Sequence, residues 1–182
     1  MIPVALTTPR LVLDQPTAAD VDATAEYCTD PLFERYLTTP WPYTRSDAEG
    51  FIGSHVPAGW ASDGEYTWAL RVDGEFAGVI GARTGRSDVG FWLGAPFRGH
   101  GYMAEALGAV ADFWFGLRHP ALRWECVVGN AASAATARAA GFAYTGVAPA
   151  DVVARDGSRP PSWHGILRAS DARDRKPGWP LV

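Results

Sequence analysis

The sequence predicts an α/β fold in which a central mixed, mostly antiparallel sheet of about six to seven strands is flanked by helices. Apolar residues alternate with a period of two in some segments and recur every three or four residues in others. The clearest strand pattern surrounds Asp73-Gly74, a dipeptide typical of β-hairpin turns. The clearest helical pattern covers residues 101–117, where the apolar side chains fall on one face.

The first third of the chain predicts a short strand followed by two helices. The strand covers residues 10–13. Thr17 and Asp20 have the spacing of a capping box and predict that a helix begins there. Thr44 and Asp47 repeat this spacing and predict a second helix.

Strands and helices alternate in the rest of the chain. The further strands are predicted at residues 68–72, 76–83, 89–93, 122–128, from 142 onward and at 163–167. The Ala-rich segment 130–140 predicts a helix that ends at Gly141. Residues 149–161 are polar and contain several turn-forming residues, so they predict an exposed loop.

Composition narrows the classes of protein. The 182 residues predict a single domain over residues 1–182, with 170–182 as a flexible tail. A formal net charge of -4 argues against a nucleic-acid partner. The sequence contains neither a basic leader nor a run of about 20 apolar residues, so we expect a cytoplasmic protein without a membrane partner. Cys28 and Cys126 are predicted to be buried thiols, and their spacing to the histidines predicts no metal site.

A glycine-rich turn precedes the predicted helix at residues 101–117. Because the first amides of a helix have no intrahelical partner and lie at the positive end of its dipole, this turn is suited to a diphosphate. Gly99 and Gly101 permit a close approach of the backbone, and Arg98 adds positive charge. The alternative is that the glycines only form a tight turn. A dinucleotide-binding Rossmann domain fits less well, because the preceding strands form an antiparallel hairpin and a third glycine is missing.

Three groups of residues together resemble the GNAT superfamily of acetyltransferases, and more narrowly its RimJ/RimL-like branch. The groups are residues 8–13 (TPRLVL), residues 89–93 (VGFWL) running into 98–107 (RGHGYMAEAL), and Asn130-Ala-Ala-Ser133 followed by Gly141-Phe142. The resemblance covers nearly the whole chain. It implies an N-acetyltransferase that transfers acetyl from acetyl-CoA to a primary amine without a metal.

The resemblance also implies a coenzyme site. The fourth and fifth predicted strands are expected to splay apart, with the pantetheine arm between them. The residues implied to bind the coenzyme are Trp92, Leu93, Gly94, Arg98, Gly99, His100, Gly101, Tyr102, Met103, Asn130 and Ser133.

The start of the helix at residues 130–140 has two interpretations. Asn130 and Ser133 are in the positions of an N-cap and its partner, whereas the resemblance implies that Asn130 holds the pantetheine arm and Ser133 lies near the sulfur. Many GNAT enzymes have a tyrosine acid in this helix, but Ala137 occupies that position here. The acid is therefore Ser133, water or no group.

The motifs contain no obvious strong base. Asp88 is the candidate base, and the alternative is that this strand-end carboxylate has a structural role. His55, His100 and His164 are assigned no role. At pH 7 an α-amine is roughly 10–15% neutral, compared with about 0.04% for a lysine side chain. The sequence therefore favours an α-amine at a protein or peptide N-terminus as the acceptor.

Other functions remain open at this stage. A small-molecule N-acyltransferase acting on an antibiotic, polyamine or amino acid would use the same motifs, as would a non-catalytic acyl-CoA sensor. Trp41, Phe51 and Trp60 are candidates to line the acceptor cleft, with core packing as the alternative. A homodimer is a further open alternative.

Overall fold

A computed structural model describes residues 1–180 and shows one eight-stranded sheet with the order β1-β2-β3-β4-β5-β6-β8-β7. The strands are β1 (Leu6–Thr7), β2 (Leu11–Asp14), β3 (Glu65–Val72), β4 (Glu75–Arg83), β5 (Asp88–Leu93), β6 (Ala121–Val127), β7 (Ala143–Pro149) and β8 (Pro161–Arg168). Neighbouring strands are antiparallel except β5 and β6, which are parallel. The predicted fold class is confirmed. The sheet has more strands than expected because two-residue β1 is too short to produce a periodic pattern.

The helices are α1 (Val21–Tyr27), α2 (Pro31–Tyr36), α3 (Arg45–Gly50), α4 (Val56–Ser62), α5 (Tyr102–Gly116) and α6 (Ala131–Ala139). A π-helical segment at Phe51–His55 joins α3 to α4. The capping box predicted at Thr44 and Asp47 is present in both directions. The sequence analysis missed α2, which begins at Pro31 and is capped by the Asp30 carboxylate. No helix within residues 1–180 is both long and apolar enough to cross a bilayer.

The sheet carries helices on both faces. Leu70 and Ile80 pack with α5 and α6 in the main core, whereas Ala69 and Val79 pack with the α1 to α3 region on the opposite face. Adjacent residues of a strand point to opposite faces, so both faces of β3 and β4 are apolar. The two faces of the sheet are therefore distinct environments for a ligand that passes between strands.

Strands β5 and β6 splay apart, as expected. They pair only at Asp88 with Arg123 and at Val89 with Trp124. Beyond this apex, β5 continues beside β4 alone, and β6 continues beside β8. The edge of β5 that faces the opening has main-chain groups without a strand partner, and such groups can pair with an extended ligand.

The two cysteines are free and buried, as predicted. Burial raises the pKa of the Cys28 thiol to about 12 and likewise raises the pKa of the Cys126 thiol to about 12. Both side chains are therefore protonated hydrophobic residues at neutral pH and supply no nucleophile.

The described part of the C-terminal tail contacts α6 and the neighbouring strands. The Trp179 indole donates to the Phe142 carbonyl at 3.3 Å and packs 5.5 Å from the Trp124 ring. Arg173 donates to Asp112 at 2.6 Å. Residues 181 and 182 of the tail predicted to be flexible lie outside the described residues.

Candidate active site

The turn before α5 presents unpaired main-chain donors. Gly99 and Gly101 have φ angles of +82° and +77°, which L side chains rarely adopt. Within the described part of the chain, the amides of residues 99–103 form no hydrogen bond. These consecutive donors lie at the positive end of a 15-residue helix. The turn therefore has the geometry of an anion site, as the sequence predicted.

A network of side chains from the N-terminal segment supports this turn. Arg10 donates to the Glu105 carboxylate at 2.6 Å and to the His100 carbonyl at 2.9 Å, and its guanidinium lies 4.8 Å from the centre of the Tyr102 ring. Thr8 donates to the same carboxylate at 2.5 Å. Burial tends to raise the pKa of Glu105, but these hydrogen bonds outweigh it and lower the pKa. Residues 8–13 and 98–107, which both carry the resemblance, are therefore in contact.

Arg98 connects the turn to two other elements. Its Nε donates to the Leu93 carbonyl at 3.0 Å, and its Nη1 donates to the Asp30 carboxylate at 2.6 Å. Asp30 also caps α2, so Arg98 joins the end of β5 to the start of that helix. Its contribution to a bound diphosphate stays a prediction.

The end of β5 is fixed by packing on the α1 to α3 side. The Trp92 ring lies 5.4 Å from the Phe33 ring, and the Gly94 amide donates to the Ala77 carbonyl at 2.9 Å. A Cβ at Gly94 would lie only 2.6 Å from the Tyr27 ring. These contacts hold one side of the splay in place and leave the open edge of β5 facing β6.

Asn130 and Ser133 lie beside the other arm of the splay. The Asn130 side chain accepts from the Ser133 amide at 3.2 Å, which is the predicted N-cap. The Ser133 hydroxyl accepts from the Trp124 indole at 3.1 Å, and Trp124 is one of the last paired residues at the apex. The hydroxyl proton remains available as a donor. Capping is thus observed, and the position also suits the role that the resemblance implies.

Asp88 is held by two arginines. Its side chain is 7% exposed; Arg83 donates to its two oxygens at 2.8 and 2.9 Å, and Arg86 donates at 3.0 Å. These bonds occupy both oxygens of the carboxylate and hold it against the two guanidinium groups. The geometry favours the structural alternative for Asp88.

A second polar cluster, which the sequence analysis did not find, lies next to the apex. Glu125, Asp151 and His164 line a cavity of about 220 Å³ that Asp88 and Trp124 also line. One polar side-chain atom from each of the three residues lies within 4.8 Å of the others, so the three side chains form one compact polar cluster. Glu125 and His164 are register partners on β6 and β8, and this pairing is not readable from a single sequence.

The loop between β7 and β8 covers this side of the sheet. Arg155 donates to the carbonyls of Leu37 and Thr39 at 2.8 Å each, and also to the Glu34 carbonyl. The loop is therefore attached to the C-terminal end of α2.

Two of the aromatic candidates for the cleft pack with the apolar cluster around α1 to α3, and the third is in the main core. Trp60 is 1% exposed and packs against Trp68, whereas Trp41 and Phe51 are partly buried. Core packing therefore accounts for Trp60.

A mixed sheet that splays beside a helix N-terminus with free amides places an anion site next to an open strand edge. The chain belongs to the GNAT family, because residues 10–143 match the acetyltransferase (GNAT) domain. It is thus a GNAT acetyltransferase, and the resemblance stated from the sequence is confirmed.

Solved structures share the fold at low sequence identity. A Vibrio cholerae protein described as a ribosomal-protein-serine acetyltransferase is 21% identical, with a TM-score of 0.77 over 91% of this chain and 97% of that chain. RimL, a ribosomal L7/L12 α-N-protein acetyltransferase solved with coenzyme A, is 18% identical, with a TM-score of 0.77 over 91% of this chain and 98% of that one. The microcin C7 self-immunity acetyltransferase MccE, solved with acetyl-CoA and AMP, is 20% identical, with a TM-score of 0.75 over 88% and 93%.

Proposed function

We propose that this protein transfers an acetyl group from acetyl-CoA to a primary amine, with the α-amine of a protein or peptide as the favoured acceptor. The observation that carries the proposal is the run of unpartnered amides at residues 99–103, placed beside the splayed strands β5 and β6. A diphosphate fits these donors, and an extended pantetheine arm fits the open edge of β5.

Some residues of the site bind the coenzyme, and others take part in the reaction. The amides of residues 99–103 hold the diphosphate, and the main chain at residues 92–94 with Asn130 orients the arm. Acetyl-CoA supplies an activated thioester, so the protein acts mainly by positioning a neutral amine. The Ser133 hydroxyl donates a proton toward the departing sulfur and is itself oriented by the Trp124 indole.

The α-amine acceptor follows from chemistry and agrees with the relatives. An α-amine loses its proton much more readily than a lysine does, and the Asp88 carboxylate is already occupied by ion pairs with Arg83 and Arg86. RimL is named as an α-N-protein acetyltransferase, and the Vibrio cholerae protein is described as acting on a ribosomal-protein serine.

A small-molecule acceptor is the second candidate. Asp151 of the loop attached to α2 lines the cavity of about 220 Å³, and a small amine fits such a space. MccE, which shares the fold, was solved with AMP as well as acetyl-CoA.

A panel of amines tests the proposed function. The protein is incubated with acetyl-CoA and with peptides that carry a free α-amine, peptides whose only amine is a lysine, or small amines; free thiol is measured and products are identified by mass spectrometry. We expect thiol release that depends on the acceptor. Tight acetyl-CoA binding without release for any amine would instead indicate a sensor.

Removing the Ser133 hydroxyl should lower the catalytic rate much more than it lowers the stability of the fold. We expect Ser133→Ala to lower kcat at saturating acetyl-CoA by at least about tenfold, while the lost hydrogen bond costs about 1 kcal/mol of unfolding free energy. Thr136→Ala is the matched control, because that hydroxyl on the same helix bonds only to the Ala132 carbonyl. Steady-state kinetics and chemical unfolding measure the two effects.

The same assay examines the side chain that caps α6. Asn130→Ala should lose about 1 kcal/mol as a cap and, in addition, raise the KM for acetyl-CoA. If both Asn130→Ala and Ser133→Ala keep the wild-type kinetic constants, the two residues serve only to cap the helix.

A further inference from the structure

The cavity beside the apex lies on the face of the sheet opposite α5 and α6. Trp124 points toward α6, where it meets Ser133, so the adjacent Glu125 points to the other face. His164 is the register partner of Glu125 and shares that face. Helices α1 to α3 pack on this same face, so an acceptor bound in the cavity would lie across the sheet from Ser133.

Glu125 is fixed in place by the main chain. Its two oxygens accept from the amides of Asp151 at 2.7 Å and Val152 at 2.9 Å. Each carboxylate oxygen retains a lone pair, but the position of the carboxylate is set. Glu125 therefore presents a stationary negative charge rather than a mobile base.

His164 lies beside that charge with a ring nitrogen that has no partner. Its Nε2 is buried, forms no hydrogen bond within the described part of the chain, and lies 3.8 Å from Oε2 of Glu125. The side chain as a whole is 18% exposed. The ring and the carboxylate are therefore placed as in other sites where a carboxylate orients a histidine base.

We propose that His164 is the proton acceptor for the amine, with Glu125 as its positioning residue; this deepens the proposed function and rests on it. The ammonium form of the acceptor gives one proton to Nδ1 of His164, and the Nε2–H group then faces Glu125. The neutral nitrogen attacks the thioester carbonyl carbon: a C–N bond forms, the C–S bond breaks, and the electron pair leaves on sulfur. The proton that nitrogen loses as the amide forms passes to the Ser133 oxygen as Ser133 gives its own proton to the thiolate, and the His164 proton returns to solvent.

The other charged groups around His164 do not replace it. Arg123 from β6 carries no basic lone pair, and Asp88 from β5 is clamped by two arginines. Asp151, from the loop after β7, is exposed to solvent, whereas the Nε2 of His164 is buried in the cluster. A histidine titrates between about pH 5 and 8 and is therefore closer to an α-amine.

The test compares His164→Gln with His55→Gln in the amine assay. His55 also faces a glutamate, Glu65 at 3.1 Å, but it is on the surface and outside the cavity, so it is the matched control. At pH 7 we expect kcat/KM of His164→Gln to fall by about 100-fold, while acetyl-CoA affinity stays within threefold of wild type. His55→Gln should keep the wild-type rate. Glu125→Gln should lose at least about tenfold, because it removes the charge and sets an NH2 group against one of the two loop amides.

The pH dependence distinguishes a base from a structural residue. The ratio of the wild-type rate to the His164→Gln rate should be large near pH 7 and shrink by at least tenfold near pH 9.5, where an α-amine is already neutral. A ratio that does not change with pH, or a His164→Gln rate within threefold of wild type, would overturn the assignment of His164 as the base. Neither result would contradict the proposed function. Activity lost in a chelator and restored by a divalent cation would also overturn it, because the three residues would then hold a metal. No thiol release by the wild type would overturn the proposed function itself.

Discussion

Replacing Gly101 by Val is expected to weaken acetyl-CoA binding by at least about tenfold, because the variant cannot keep the turn that presents the amides of residues 99–103. Gly101 has a φ of +77°, where a β-branched residue is strained by roughly 1–3 kcal/mol. Relief of that strain rotates the peptide planes and redirects the donors. Isothermal titration calorimetry with acetyl-CoA measures the loss.

Gly108→Val is the matched control for this substitution. Gly108 lies in the same helix, outside the left-handed region, and a Cβ there meets nothing within 4 Å. The same side chain is therefore introduced away from the diphosphate site, and we expect wild-type affinity. A folded Gly101→Val variant that binds acetyl-CoA as tightly as Gly108→Val does would remove this turn from the binding site.

Local patterns accounted for most of the helices and strands and for the glycine turn before α5. The turn at Gly99 and Gly101 and the capping box at Thr44 depend on residues within a few positions of one another, so a single sequence contains the information. Helix α5 was equally clear, since its buried face includes Leu107 and Val110 at helical spacing.

The acceptor side depended on contacts between distant segments. Glu125 and His164 meet only because β6 and β8 pair in one particular register. Asp88 was a candidate base because its partners were unknown; Arg83 lies opposite it on β4 and occupies both of its oxygens. Strand register and side-chain partners were not available from periodicity, which explains why the coenzyme turn was predicted and the polar cluster was not.

Peptides with a free α-amine are expected to exceed lysine-only peptides in kcat/KM by about 100-fold or more at pH 7. The neutral fractions of the two amines differ roughly 250-fold at this pH, which corresponds to about 3 kcal/mol of barrier. A histidine base reduces the penalty for an α-amine, whose pKa of about 7.7–8.0 is near its own range, far more than for a lysine at about 10.4. The rate with α-amine peptides should therefore rise with pH and level off once the acceptor is neutral.

The decisive comparison uses one peptide sequence with a single lysine, with its N-terminus either free or acetylated. Asp88→Asn is the matched control, since it removes the negative charge of the clamped carboxylate without touching Glu125 or His164. We expect this variant to lose stability, because Arg83 and Arg86 lose their ionic partner, but to keep the preference for the free N-terminus. A preference for lysine at neutral pH that disappears in Asp88→Asn would make Asp88 the base and would contradict both the α-amine acceptor and the assignment of His164.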